Sequence, residues 1–465
     1  MNALIKLAAL AAALGAGAGC AVAPLDRSAG ATADRVRERT TVEPVWSPAS
    51  AGANAALELQ EPLTLPAALT LAFAQNPEIR RQYERLGIAH ADLQDAARIA
   101  NPTLSLAWLS PNGGGRDQTT RGIVASFSDL LLLPARRRLS AAEFRRVELV
   151  VAARLVALAQ DVEIAWYTYL GSLQIATMRD AVARAAANQA VLALRFHEAG
   201  NISRLDLDLH RAAAARAGVE ALRARSGTVT ARARLADLLG LQASAAWETV
   251  DRLPAPPDAP IKREELLRLA LAQRLDLAAL GEEVAMLEDA AQVARRWRLL
   301  GSTDIGYKLE RETDGTTLRG PTLDLELPLF NQGQGAVERA DAHLADARAR
   351  HDAQALVVQN EISAGFEQLT IAREIAARYR DTLLPAVESV VARRQEQVSF
   401  MLRSVFELLE AKRDEYSAWQ TWLEAVRDYW IARSTLAAAA GGRLPGDSEE
   451  LPLTIGADEI TGEGP

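Results

Sequence analysis

The chain has 465 residues, a formal net charge of −8 and only 5% aromatic side chains. Its arginines are dispersed among carboxylates, which excludes nucleic acid as a partner, and the single cysteine, Cys20, excludes an intramolecular disulfide. A length that could hold two or three domains contains one internal Pro-rich stretch, residues 253–260, so separate domains on linkers are also excluded.

The first elements concern export. Residues 1–6 carry one basic side chain, Lys6, and an apolar run at 7–14 leads into small residues ending at Gly19-Cys20. That run falls short of the roughly 20 apolar residues of a permanent membrane helix. Residues 1–19 therefore read as a cleavable signal peptide. A lone cysteine directly after it resembles the lipid-attachment cysteine of bacterial lipoproteins, although Gly17 stands where that motif usually has Leu or another large aliphatic residue. Ala21, rather than Asp, after the cysteine implies by the same resemblance the outer membrane. No other segment is long and apolar enough to span a bilayer, so a crossing requires a closed β-barrel.

Residues 20–62 lack a sustained period and read as an extended, surface-wrapping arm. The chain is then written twice, at 63–241 and 262–442, with a linker at 242–261. In the first copy Leu65, Leu69, Ala72 and Phe73 share a helical face that stops at Asn76-Pro77. A second helix runs from Pro77 to about residue 100 and stops at Asn101-Pro102. The period then changes to two, predicting strands over about 103–109 and 121–129. The glycine run 113–115 between them lacks the helix and Lys-Ser/Thr pair of a phosphate-cradling loop. A helix from about residue 135 to 199 is interrupted only weakly, at Gly171, and ends at a short break, residues 200–206.

The second copy repeats the order. Strands are predicted over about 303–309 and 319–327, with Asp304, Lys308, Asp324 and Glu326 on the polar face and Ile305, Tyr307, Leu323 and Leu325 on the other. A charged face of this kind suits either the solvent side of a soluble sheet or the lumen side of a lipid-facing barrel. Residues 335–398 form the second long helix, interrupted at Gly365 and Pro385, with coiled-coil-like spacing at Val337, Ala340, Leu344, Ala347, Val358, Ile362 and Leu369. About 64 residues at about 1.5 Å each span about 96 Å. Its break is residues 401–407, and residues 443–465 read as a disordered acidic tail.

The ordered set Asn76-Pro77, Asn101-Pro102-Thr103-Leu104-Ser105 and Pro328-Leu329-Phe330-Asn331-Gln332-Gly333-Gln334-Gly335 resembles the TolC-like outer-membrane efflux family over nearly the whole mature chain. The Pro328 junction, with Pro134-Ala135-Arg136-Arg137-Arg138, is similar to the heavy-metal-efflux branch, although the first copy lacks the glycine pair. The resemblance implies a mainly helical fold with a membrane β part. Three protomers would share one twelve-stranded β-barrel continuing into a long α-helical barrel. It also implies a periplasmic adaptor, a proton-driven inner-membrane transporter, contact with outer-membrane lipid, and no cofactor. Conduction would be passive, with heavy-metal cations as one cargo and drugs, organic solutes or secreted proteins as others. A periplasmic coiled-coil adaptor or a scaffold lipoprotein is the rival of another class; an adaptor would insert a β-rich domain into a single hairpin, and this chain has none.

By the same resemblance the two breaks form the periplasmic tip, which is both gate and docking surface. Glu407 and Glu410 lie three apart on one helix face, and threefold rings of them would need a cationic partner such as Arg403 to close. Gly200, Asp206 and Asp208 hold the matching place in the first copy. Ser203 and Ser404 read equally as helix caps, with the acids favoured at the first turn; both roles can hold together. Gating is expected in the second copy. The sequence contains no catalytic motif, and its five histidines are scattered, so no resident metal is expected.

Overall fold

Each repeat is built by residues that start and stop helices, and the same positions recur about 200 residues later. The computed structural model describes residues 26–40, 42, 44, 62–110, 112–242, 244–250, 252–257, 262–444, 453, 454 and 460. Cys20 and the expected signal peptide lie outside the described residues. In chain order the helices of the first half are α1 (Asp26–Arg37), α2 (Leu65–Gln75), α3 (Pro77–Ala96), α4 (Phe127–Glu198) and α5 (Arg204–Leu239). The second half has α6 (Arg263–Gln273), α7 (Leu275–Arg296), α8 (Gln334–Arg378), a π-turn (Tyr379–Leu383), α9 (Leu384–Ser399) and α10 (Val405–Ala440). Strands β1 (Thr103–Leu109) and β2 (Gln118–Ser126) precede α4; β3 (Thr303–Arg311) and β4 (Thr317–Leu325) precede α8.

The duplication extends to length: α2 and α6 have 11 residues each, and α5 and α10 have 36 each. Both 36-residue helices end at a left-handed glycine, Gly240 (φ 73°) and Gly441 (φ 94°). Each glycine is pressed on the kink between two short helices. A Cβ on Gly240 would lie 2.6 Å from the Gln75 carbonyl oxygen, and one on Gly441 3.2 Å from the Arg274 nitrogen. At that kink Asn76 caps α3 by accepting from the Glu78 N–H (2.7 Å), while its Nδ2 donates to the Leu238 carbonyl (2.7 Å). Arg274 does the matching job in the second copy, donating to the Ala439 carbonyl (3.3 Å) and to Asp276 and Glu361. Burial disfavours its charge, yet those two carboxylates hold its pKa above the ordinary guanidinium value.

The core lies where the four long helices run together. Val151, Leu155, Val162 and Leu170 of α4 are buried with Val358 and Ile362 of α8 and with Leu423, Val426 and Leu436 of α10. Tyr167 stacks on Trp430 with centroids 5.0 Å apart. Gly171 lets the helices close, because a Cβ there would lie 2.5 Å from the Arg427 stem. At about 1.5 Å per residue, the 72-residue α4 is about 108 Å long.

The structure departs from the sequence expectations at several boundaries. Helix α4 begins at Phe127, not near residue 135, so Pro134 lies inside it. Ser126 caps the start by accepting from the Asp129 N–H (3.4 Å), and the Arg136 guanidinium donates to the Asp129 carbonyl (3.1 Å) beside the proline-disturbed turn. Pro385 is accommodated because the π-turn precedes it and places it in the first turn of α9. Helix α3 ends at Ala96, short of residue 100. Strands β2 and β4 start two to three residues early, where cross-strand partners exist: Gln118 opposite Leu109, and Thr317 opposite Arg311.

Part of the expected extended arm is instead the helix α1. Its Ala33 and Val36 are buried, and Arg35 reaches Glu148 of α4 at 3.6 Å. Only packing on α4 gives so short an apolar stripe a partner, so no period marks it in the sequence. The linker is also seated: Leu63 forms a parallel bridge to Thr249, and Trp247 and Leu253 are buried. The tail expected to be disordered contributes Leu453, which bridges to Pro254, and Thr454, whose N–H donates to the Leu253 carbonyl (2.8 Å).

Candidate functional site

Two places in this fold gather the candidate site residues, the sheet and the helical tip. The sheet is a four-stranded antiparallel meander, β1-β2-β3-β4, whose outer strands β1 and β4 each leave one edge unpaired. Its register sorts the side chains. Leu104, Ile123, Tyr307 and Pro321 form one cross-strand row, and Ala125, Ile305 and Leu323 the next, all on one apolar face. Most of that face is exposed, with Trp108 61% and Leu323 66% accessible. The opposite face carries Ser105, Thr120, Gly122, Asp304, Gly306, Lys308, Glu310 and Asp324.

Crowding on the polar face points to a sheet that is concave on that side. A Cβ on Gly122 would meet Ser105 Oγ at 2.7 Å, and one on Gly306 would meet Thr322 Oγ1 at the same distance. Crowding on one side and wide exposure on the other define concave and convex surfaces. Asp304, Lys308 and Asp324 all lie on the concave side, and Lys308 pairs with Glu310 at 3.0 Å. Glu326 is placed differently from the expectation: it follows the end of β4 and accepts from the Ser302 N–H (3.0 Å) and hydroxyl (3.2 Å), locking the base of the sheet. Glu310 and its donor Gln118 were missed, because their pairing spans 192 residues of sequence.

The tip is two helix–turn–helix breaks. In the first, Gly200 (φ 77°) takes the left-handed position, and the Asn201 N–H donates to the Phe196 carbonyl (2.8 Å). Ser203 and Asp206 form a capping box, so this carboxylate serves the helix start. The Ser203 hydroxyl and N–H hold its pKa below the ordinary carboxylate value. Asp208 pairs with Arg204 at 3.0 Å. In the second break Met401 holds the left-handed position (φ 58°), the only non-glycine to do so among the described residues. Phe400, Met401 and Leu402 are all exposed there, Met401 at 94%.

Ser404 caps α10 through the Phe406 N–H (3.2 Å). Glu407 is not a bare carboxylate: its Oε2 lies 2.9 Å from Arg394 Nη1 and 3.5 Å from Arg403 Nη1. Arg403 thus contacts Glu407 within one protomer, and so does Arg394, on the other arm of the hairpin, which sequence reasoning missed. Glu410 pairs instead with Arg413 (3.4 Å), so the two glutamates do not share a cation. Phe406 stacks on His210 (centroids 4.7 Å) and meets Phe196 edge-on (5.3 Å), tying the two breaks together. Among the described residues no group of three or more His, Cys, Asp or Glu is placed to hold a metal ion.

No family model matches the chain. It is 24% identical over 404 residues to the cobalt-zinc-cadmium resistance protein CzcC of Cupriavidus metallidurans, covering 85% of this chain and 92% of that protein. Among solved structures it is similar to the outer-membrane channel CmeC of Campylobacter jejuni, with TM-score 0.69 and 14% identity over 83% of this chain and 87% of that one. It is also similar to CusC, a protein that forms a transmembrane channel, with TM-score 0.61 and 16% identity over 82% and 92% of the two chains. The duplicated unit, the four-stranded sheet and the paired long hairpins together give this chain the fold of the TolC-like outer-membrane channels.

Proposed function

We propose that this protein is the outer-membrane duct of a tripartite efflux pump. The observation that carries this reading is the sheet: four strands, two unpaired edges, an apolar convex face and a polar concave face. Four strands are too few to close a membrane barrel, whose minimum is about eight. Joining edge to edge, three copies supply twelve strands, leave no edge, and turn the convex face to lipid. Asp304, Lys308 and Asp324 then line a wet lumen, and helices about 100 Å long continue it through the periplasm.

Conduction is passive, and the tip supplies the control. An adaptor would dock on the exposed Phe400-Met401-Leu402 turn and part the Glu407–Arg394–Arg403 cluster, while an inner-membrane transporter supplies the driving force. Cys20 would anchor the mature N-terminus by acylation. The likeness to a cobalt-zinc-cadmium resistance protein supports divalent metal cations as cargo. In a channel the ions pass as substrate and need no tight site.

The architecture is tested by heat-modifiable trimer migration from outer-membrane fractions; a soluble monomer would refute it. The cargo is tested by deleting the gene and measuring growth on zinc, cobalt and cadmium. Sensitivity to organic toxicants with unchanged metal tolerance would reassign the cargo.

A further inference from the structure

The convex face is apolar for two rows and then changes character. In the next row the order is Leu106, Arg121, Leu309, Arg319, and in the last it is Trp108, Thr119, Arg311, Thr317. Three guanidinium groups therefore share the lipid-side face at the end of the sheet away from the helices, and all three residues are exposed. Among the described residues none of these three side chains has an ion pair or hydrogen bond, whereas most arginines of the helical body are paired.

The nearby acids are engaged elsewhere. Glu310 and its salt bridge to Lys308 belong to the concave face, and Glu312 has the same parity. Asp117 accepts from the Ser110 hydroxyl (2.7 Å), and Asp314 accepts from Thr316.

Strand spacing fixes the geometry. Arg121 and Arg319 stand two strands apart in one row, about 9.6 Å, and Arg311 lies one strand and two residues from each, about 8 Å. Side chains of this length can converge on one group of two or three anionic oxygens. Depth fits for Arg311: eight residues from Thr303, at about 3.4 Å each and tilted about 40°, rise about 21 Å, close to the height of an outer-membrane apolar band, while Arg121 and Arg319, one row lower opposite Leu309, rise about 16 Å. An arginine costs about 2–4 kcal/mol at the midplane and little near the interface, and from one row lower the long side chains of Arg121 and Arg319 can snorkel up to the level of Arg311.

We infer that Arg121, Arg311 and Arg319 form a binding site for the phosphorylated headgroup of an outer-leaflet glycolipid, three such sites girdling the trimer. The inference rests on the barrel reading above. Uncompensated guanidiniums at the headgroup level, above an apolar band that contacts acyl chains, match a ligand with phosphate attached to hydrocarbon.

The test uses the purified full-length trimer in phosphatidylcholine nanodiscs, titrated with fluorescent lipid A, its dephosphorylated form, and inorganic phosphate as competitor. The wild type is expected to bind lipid A at least about tenfold more tightly than the variant Arg121→Gln/Arg311→Gln/Arg319→Gln, a gap of about 1.4 kcal/mol or more. Dephosphorylated lipid A should bind wild type no better than the variant, and the triple Lys variant should keep most of the affinity. Equal affinity for wild type and Gln variant, or full competition by equimolar inorganic phosphate, would overturn the inference. Trimer migration is read on the same preparations: a wild type that forms no membrane trimer refutes the barrel reading, whereas an intact trimer with equal affinities refutes only the arginine site.

Discussion

Glu407 is the residue whose loss should most directly test control at the tip. Its carboxylate contacts Arg394 at 2.9 Å and Arg403 at 3.5 Å, with the side chains of Glu407 and Arg394 about one-third accessible (36% and 33%). Exposed pairs of this kind contribute about 0.2–1 kcal/mol each. Taking about 0.5 kcal/mol per contact, two contacts in each protomer of the proposed trimer would stabilise a closed tip by about 3 kcal/mol if opening parts all six. A loss of that size shifts the closed-to-open ratio by about 10²-fold. Glu407→Ala also leaves Arg394 and Arg403 facing each other without a counter-charge, which adds repulsion.

The assay is single-channel conductance in planar bilayers, supported by cellular sensitivity to a large antibiotic. Glu407→Ala should raise open probability and shift selectivity toward anions, and Arg394→Ala should reproduce the first effect. The double variant should fall short of the sum, since both single changes remove the same contact. Wild-type conductance in a correctly assembled Glu407→Ala trimer would refute the reasoning.

Three further outcomes follow from the fold. Ile123→Arg places a cation in the middle row of the convex face at about 2–4 kcal/mol per copy, so heat-modifiable trimer in outer-membrane fractions should fall sharply; undiminished trimer would argue against lipid contact. Gly240→Ala sets a methyl group against the Gln75 carbonyl at a left-handed position, combining about 1–2 kcal/mol of backbone cost with overpacking of about 1–3 kcal/mol, and should lower the melting temperature by several degrees. Glu148 is buried beside Arg35; burial raises its pKa and outweighs the arginine. A raised folded-state pKa means its contribution to stability is greatest below the unfolded value and is lost as pH rises through the folded value. Glu148→Gln should therefore raise thermal stability at about pH 8 and converge with wild type near pH 4; a variant less stable at pH 8 would reverse that sign.

The duplication and most of its punctuation are local chemistry, which is why they are legible in the sequence. Asn76-Pro77, Ser203, Ser404, Gly200 and the period-two runs act through neighbours a few residues away, and each lies where its residue type demands. Strand polarity is legible for the same reason, because alternation puts Asp304, Lys308 and Asp324 on one face whatever the partners are. The tertiary structure decided everything that depends on residues far apart. Pairing with Leu109 of β1 sets the start of β2 at Gln118, and packing on α4 folds Asp26–Arg37 into a helix. The opposite arm of a hairpin supplies Arg394 to Glu407. Asn76 and Arg274 share a role no alignment of side-chain type would suggest, since only the folded chain brings each to the carbonyl end of a 36-residue helix. The sequence by itself carried the repeat and its faces; closure of those faces into sites required contacts across tens to hundreds of residues, which local periodicity does not encode.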